Sequence, residues 1–62
     1  MTLDHALTRV EAAAAAKRAA TAAYVRALHQ ARRAGASHRT IGRAAGCTEV
    51  AVRRMLTRHP EA

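Results

Sequence analysis

Arginines dominate the chemistry available to the C-terminal half of this chain. Residues 32 to 62 contain seven arginines against two glutamates, and the 62-residue chain has a net charge of +7. Guanidinium groups form paired hydrogen bonds with phosphate oxygens and with the O6 and N7 atoms of guanine. We therefore expect a polyanionic partner, with phosphate neutralisation by arginine and lysine supplying most of the affinity.

Other kinds of chemistry have little support among the residue types. The four histidines are never three or four residues apart, and no cysteine pair lies near them, so we expect no metal site and no cofactor. Tyr24 is the only aromatic residue, which argues against stacking on single-stranded nucleic acid. The sequence shows no acid and base pair, nucleophile triad or phosphate loop, and we expect no enzymatic activity.

A long first helix must position the arginine-rich half. From Thr2 to Ala34 the chain has no glycine or proline and is rich in alanine, leucine, arginine and glutamate. Thr2 is a suitable N-cap, and Gly35 tolerates the left-handed conformation that follows a helix end. The sequence therefore predicts one helix about 48 Å long.

The apolar stripe of this helix has two parts, separated by Lys17. The C-terminal part contains Tyr24, Val25, Leu28 and Ala31, which we expect to pack against the following segment. The N-terminal part has no such neighbour, because two short helices of about 15 Å cannot cover the whole first helix. Its residues form the predicted homodimer interface, and they are Leu3, Leu7, Val10 and Ala14. The alternative is an exposed helix held by alanine propensity alone.

Two short helices are predicted after Gly35. Ser37 can cap a helix from His38 to Ala45, and Gly46 can end it. Thr48 can then cap a helix from Glu49 to Arg58. In the second helix we expect the inward residues to be Ile41, Ala44 and Ala45, and we expect Cys47 to fill a further inward position as a small core residue. The fold class is therefore all-α, a long helix followed by a two-helix unit.

The segment from Ser37 to Leu56 spaces its small and apolar residues as two steeply crossing helices require. Gly42 can lie where they cross, Gly46 can form the turn, and Val52 with Met55 can face inward. In this pattern, IGRAAG followed by a polar cap and AV, the chain resembles the small trihelical helix-turn-helix DNA-binding proteins of actinobacteria and their phages. The resemblance covers residues 24 to 58, although Gly42 stands where that family usually has alanine and Cys47 where it usually has an aliphatic residue.

The resemblance makes the third helix a recognition helix, and helical phase then indicates which side chains face the major groove. The expected base-reading residues are Glu49, Val50, Arg53, Arg54 and Thr57. Arg54 is the foremost of these, Arg53 could instead grip a phosphate, and Glu49 could either accept from a cytosine or only favour the helix dipole. The expected phosphate contacts are Arg32, Arg33, His38, Arg39, Arg43, Thr48 and Arg58.

These expectations combine into a sequence-specific double-stranded DNA-binding protein that acts as a homodimeric repressor. Residues 1–22 would serve self-association, and residues 23–59 would form the DNA-binding module of a single domain. An accessory protein of DNA packaging or recombination, similar to a small terminase, or an architectural DNA-binding protein is the alternative. With one cysteine and no membrane-length apolar run, we expect a cytoplasmic, nucleoid-associated protein with no membrane partner and no small-molecule ligand.

Overall fold

Three helices make up the described part of the chain, residues 1–61, in the computed structural model. Helix α1 spans Leu3–Arg33, α2 spans His38–Ala45 and α3 spans Glu49–Arg58, and residues 1–61 contain no strand. The all-helical fold class and the bounds of the two short helices are as predicted. None of the helices in this range is long and apolar enough to cross a membrane.

Each helix begins at a hydroxyl side chain that caps it. The Thr2, Ser37 and Thr48 hydroxyls accept hydrogen bonds from the backbone N–H groups three residues later, at 3.1, 3.1 and 3.0 Å. These bonds satisfy donors that have no partner within the helix. At the other end of α1, Gly35 has φ of +100° and turns the chain toward α2.

The buried core consists of one residue from each helix. Leu28 of α1, Ile41 of α2 and Val52 of α3 meet, and Val52 is fully buried at 0% exposure. Four partly buried apolar residues surround this trio, namely Ala31, Ala36, Met55 and Leu56. We call residues 23–59, which contain this core, the head.

The N-terminal part of α1 extends away from the head. We call residues 1–22 the stem, and its large apolar side chains are exposed, at 74% for Leu3, 51% for Leu7 and 62% for Val10. The molecule is accordingly elongated, with extents of 49 × 24 × 16 Å. Within one chain the apolar face of the stem remains in contact with solvent.

Some residues expected to face inward do not. Ala44 and Ala45 are exposed, and Cys47 is exposed as well. Helix α2 instead packs through the adjacent residues Ile41 and Gly42, both buried, because it crosses the start of α3 at the backbone of the turn. Tyr24, expected in the core, lies at its edge with 39% exposure.

Candidate nucleic-acid interface

The turn between α2 and α3 sets the angle at which α3 is presented. Gly46 ends α2 with φ of +73°, and the Cys47 N–H donates to the Gly42 carbonyl at 2.9 Å. This is the hydrogen bond of a Schellman motif, which a left-handed residue completes. A glycine therefore meets the conformational demand of this turn.

Gly42 allows the backbone of that turn to approach α2 directly. A Cβ atom at Gly42 would lie 2.7 Å from the Cys47 carbonyl oxygen, closer than a carbon and an oxygen can pack. The glycine is therefore required by contact, despite its lower helix propensity. The same contact explains why Cys47 is exposed, since its backbone and not its side chain faces α2.

Helix α3 has a buried face and an open face. Val52 is held in the core, with Met55 and Leu56 half-buried beside it. The predicted base-reading residues are all exposed on the remaining surface, and they are Glu49, Val50, Arg53, Arg54 and Thr57. Arg58 joins them, because it lines a shallow depression of about 560 Å³ together with Arg53, Arg54 and Thr57.

Two of these residues contact each other. The Arg53 guanidinium lies 3.2 Å from the Glu49 carboxylate, one turn earlier in α3. Over residues 1–61, Arg54 makes no side-chain hydrogen bond or ion pair, so its guanidinium is available to a ligand. The two adjacent arginines therefore differ in the structure, since Arg53 has an intrachain partner and Arg54 has none among residues 1–61.

The expected phosphate contacts fall into two groups. The first group is open to a ligand, and in it Arg39 and Arg43 are exposed on α2 while His38 is half-buried. Thr48 belongs to the same group, because its oxygen caps α3 and its hydroxyl hydrogen can still be donated. Arg32 and Arg33 are engaged within the chain, since Arg32 donates to the Ala36 carbonyl at 2.8 Å and Arg33 forms an ion pair with Glu61.

Two contacts within the head have no signal in the sequence. The His29 Nε2–H donates to the His59 carbonyl oxygen at 2.6 Å, which ties the end of α3 back to α1. The Tyr24 hydroxyl lies 3.9 Å from the Cys47 Sγ. The pKa of the Tyr24 phenol is raised above its ordinary value, mainly by partial burial and to a smaller extent by the contact with Cys47. Both contacts join residues more than 20 positions apart, so no local pattern indicates them.

No family model, curated protein or solved structure matches this chain. The residues themselves supply the functional argument. Within residues 1–61, no three histidine, cysteine, aspartate or glutamate side chains are grouped so that they could hold a metal ion.

Proposed function

We propose that this protein binds double-stranded DNA in a sequence-specific manner by inserting α3 into the major groove. The observation that carries the proposal is the open face of α3, where exposed arginines and small apolar and polar side chains surround Arg54 while Val52 anchors the helix from behind. The head then acts as a helix-turn-helix module, with α3 as its recognition helix.

The dimensions of α3 suit this role. Its 10 residues give a helix of about 15 Å, and an α-helix with its side chains fits a major groove about 12 Å wide. Arg54 reads guanine through a bidentate pair, and Val50 contacts a thymine methyl group. Specificity therefore resides in a few side chains of one short helix.

The Glu49–Arg53 pair adds a condition to base reading. A guanidinium that already faces a carboxylate must leave it, or share it, in order to bind a base or a phosphate. Glu49 also lies in the first turn of α3, where a negative charge favours the helix dipole. We assign Arg53 a supporting contact and Arg54 the principal one.

Phosphate contacts would come mainly from α2 and the ends of the short helices. Arg39, Arg43 and Arg58 are exposed around the reading face, and the Thr48 hydroxyl and His38 lie at helix N-termini. Such contacts fix register and orientation without reading sequence. Arg32 and Arg33 would have to share or leave their intrachain partners in order to bind a phosphate.

The proposed biological form is a homodimer that represses transcription. Leu3, Leu7 and Val10 are exposed on the part of α1 that extends away from the head, and pairing two stems would bury them. A two-fold dimer binds a palindromic or nearly palindromic operator, and occupying a promoter represses it without further parts. Self-association and DNA contact would then belong to different ends of the molecule.

Selection of bound sequences from random duplex DNA tests the proposal. The unaltered chain should enrich a motif containing a guanine at a fixed position, and Arg54→Ala should lose that preference with a cost of about 1–3 kcal/mol per half-site. Arg9→Ala, which removes the same charge from the exposed stem, is the matched control and should keep the motif.

The possible outcomes separate the parts of this proposal. Binding without any enriched motif would contradict sequence-specific recognition and favour an architectural role. An enriched motif that Arg54→Ala leaves unchanged would show that another residue reads it. A stable ring of many subunits, measured by mass, would contradict the dimeric repressor and favour a packaging accessory protein.

A further inference from the structure

One face of α1 carries a seven-residue repeat along almost its whole length. Steps of four and three residues alternate through Leu3, Leu7, Val10, Ala14, Lys17, Thr21, Tyr24 and Leu28. A repeat of this period is typical of helices that pair side by side with a left-handed supercoil. Helices α2 and α3 cover its C-terminal end, where Leu28 is 3% exposed, whereas its N-terminal end is open.

The residues that flank the stripe differ between its two sides. Along one side, directly after Leu3, Val10 and Lys17, the stem carries three charged residues, which are Asp4, Glu11 and Arg18. Along the other side it carries only alanines, which are Ala6, Ala13 and Ala20. In a parallel pair each charged side would face an alanine side. In an antiparallel pair charged side faces charged side, and the alanine sides face each other and allow close approach.

We propose that two copies of the stem pair antiparallel about a two-fold axis at residue 12, so that Asp4 of each copy meets Arg18 of the other. This inference rests on the homodimer of the proposed function and specifies its direction and register. Leu3 then faces Thr21 of the second copy, Leu7 faces the aliphatic part of Lys17, and Val10 faces Ala14.

Steric access and charge select this register over its neighbours. A register one repeat longer would bring Leu3 against Leu28, which α2 and α3 already cover. A register one repeat shorter would bring Asp4 beside Glu11 of the second copy, two like charges. The proposed register leaves one such conflict, because Glu11 of one copy lies near Glu11 of the other at the axis. It also forms two attractive pairs, since Asp4 of each copy meets Arg18 of the other.

The head also offers a place for the end of the second stem. A cleft of about 820 Å³ runs along α1 beside the His59–Pro60 segment, and Ala14, Thr21 and Val25 contribute to its walls. In the proposed register, the first residues of the second copy reach the level of Thr21 to Ala23. Leu3, which is 74% exposed in the single chain, would therefore be covered at the rim of this cleft.

Disulfide cross-linking tests the direction, with Cys47→Ser as background so that only introduced thiols react. Leu3→Cys mixed with Thr21→Cys should give a cross-linked dimer under mild oxidation, and neither variant alone should do so. Leu7→Cys alone is the control. In the proposed pair the two introduced cysteines lie about 15 Å apart along the axis, whereas in a parallel pair they lie side by side. Self-cross-linking of Leu7→Cys would overturn the antiparallel direction.

A charge exchange tests the register. Arg18→Glu should weaken self-association about tenfold, measured by sedimentation equilibrium, and adding Asp4→Arg should restore it because both ion pairs re-form with reversed sign. Arg9→Glu changes the charge equally at a position away from the stripe and should have a smaller effect. Failure of the second change to restore association would overturn the Asp4–Arg18 pairing.

The same variants distinguish this inference from the proposed function. A chain that stays monomeric at all concentrations but still enriches a single half-site from random DNA would contradict the antiparallel pair and support sequence-specific DNA recognition. A chain that cross-links as expected but enriches no motif would support the antiparallel pair and contradict sequence-specific DNA recognition.

Discussion

Leu7 and Leu28 are the same residue type on the same face of the same helix, yet Leu7 is 51% exposed and Leu28 is 3% exposed. The difference arises outside α1, because α2 and α3 cover only the C-terminal end of its stripe. The head thus obtains its apolar partners from its own chain. The stem has no such partner within its own chain. In the homodimer that we propose, a second copy would cover it, and α1 would then join an intramolecular interaction to an intermolecular one.

Replacing the two leucines should give the largest contrast between head and stem. Leu28→Ala should cost about 2–5 kcal/mol of unfolding free energy because it leaves a cavity in a three-residue core, enough to unfold much of so small a domain. Leu7→Ala should cost less than about 0.5 kcal/mol in dilute solution, where the stem is unpaired. Urea unfolding followed by circular dichroism at low protein concentration measures both, and equal costs would contradict the division between head and stem.

Gly42→Ala should destabilise the head by about 1–3 kcal/mol, the next largest effect. Helix propensity alone predicts a gain of up to about 1 kcal/mol, but the added Cβ would meet the Cys47 carbonyl oxygen and push α3 away from α2. Thermal unfolding gives the sign directly. The exposed Ala44 supplies the control, since Ala44→Gly should cost only the ordinary propensity difference, and a stabilised Gly42→Ala variant would contradict the close contact.

The smallest expected effect is on DNA affinity, when an arginine of the head and an arginine of the stem are each replaced by alanine. Arg39→Ala should weaken binding to all sequences alike and reduce the slope of log affinity against log salt by about 1, because one phosphate contact is lost. Arg9→Ala in the stem should leave the slope unchanged. Titrations of labelled duplex at several salt concentrations measure the two slopes, and a parallel loss in both variants would indicate diffuse attraction to the whole cationic chain.

The sequence predicts the ends of the helices correctly, but it does not predict how the turn between α2 and α3 packs. Ser37, Gly46 and Thr48 define helix ends through their own side chains or backbone freedom, so the bounds of α2 and α3 follow from them. The prediction of a buried Cys47 was wrong because α2 contacts the backbone of the turn, and helical phase contains no information about a residue between helices. Ala44 and Ala45 lie within α2, and they are exposed because this helix packs through Ile41 and Gly42 instead.

The candidate site shows the same division. The exposure of Val50, Arg54 and Thr57 follows from the helical phase that buries Val52, and the structure agrees with it. The ion pair of Glu49 with Arg53 is also local, at a spacing of four residues. The engagement of Arg33 by Glu61 is not local, because it depends on how the end of the chain returns to α1.

The three-residue core has a thermodynamic consequence for the whole protein. Leu28, Ile41 and Val52 come from three different helices, so removing any one helix removes a third of the buried core and two of its three pairs. Helix formation in the head and its docking are therefore one cooperative event with a small margin of free energy. A ligand that binds only the folded form raises that margin by mass action. If the head binds DNA as proposed, its melting temperature should rise with DNA concentration. If the stems pair as proposed, it should also rise with the concentration of the chain itself.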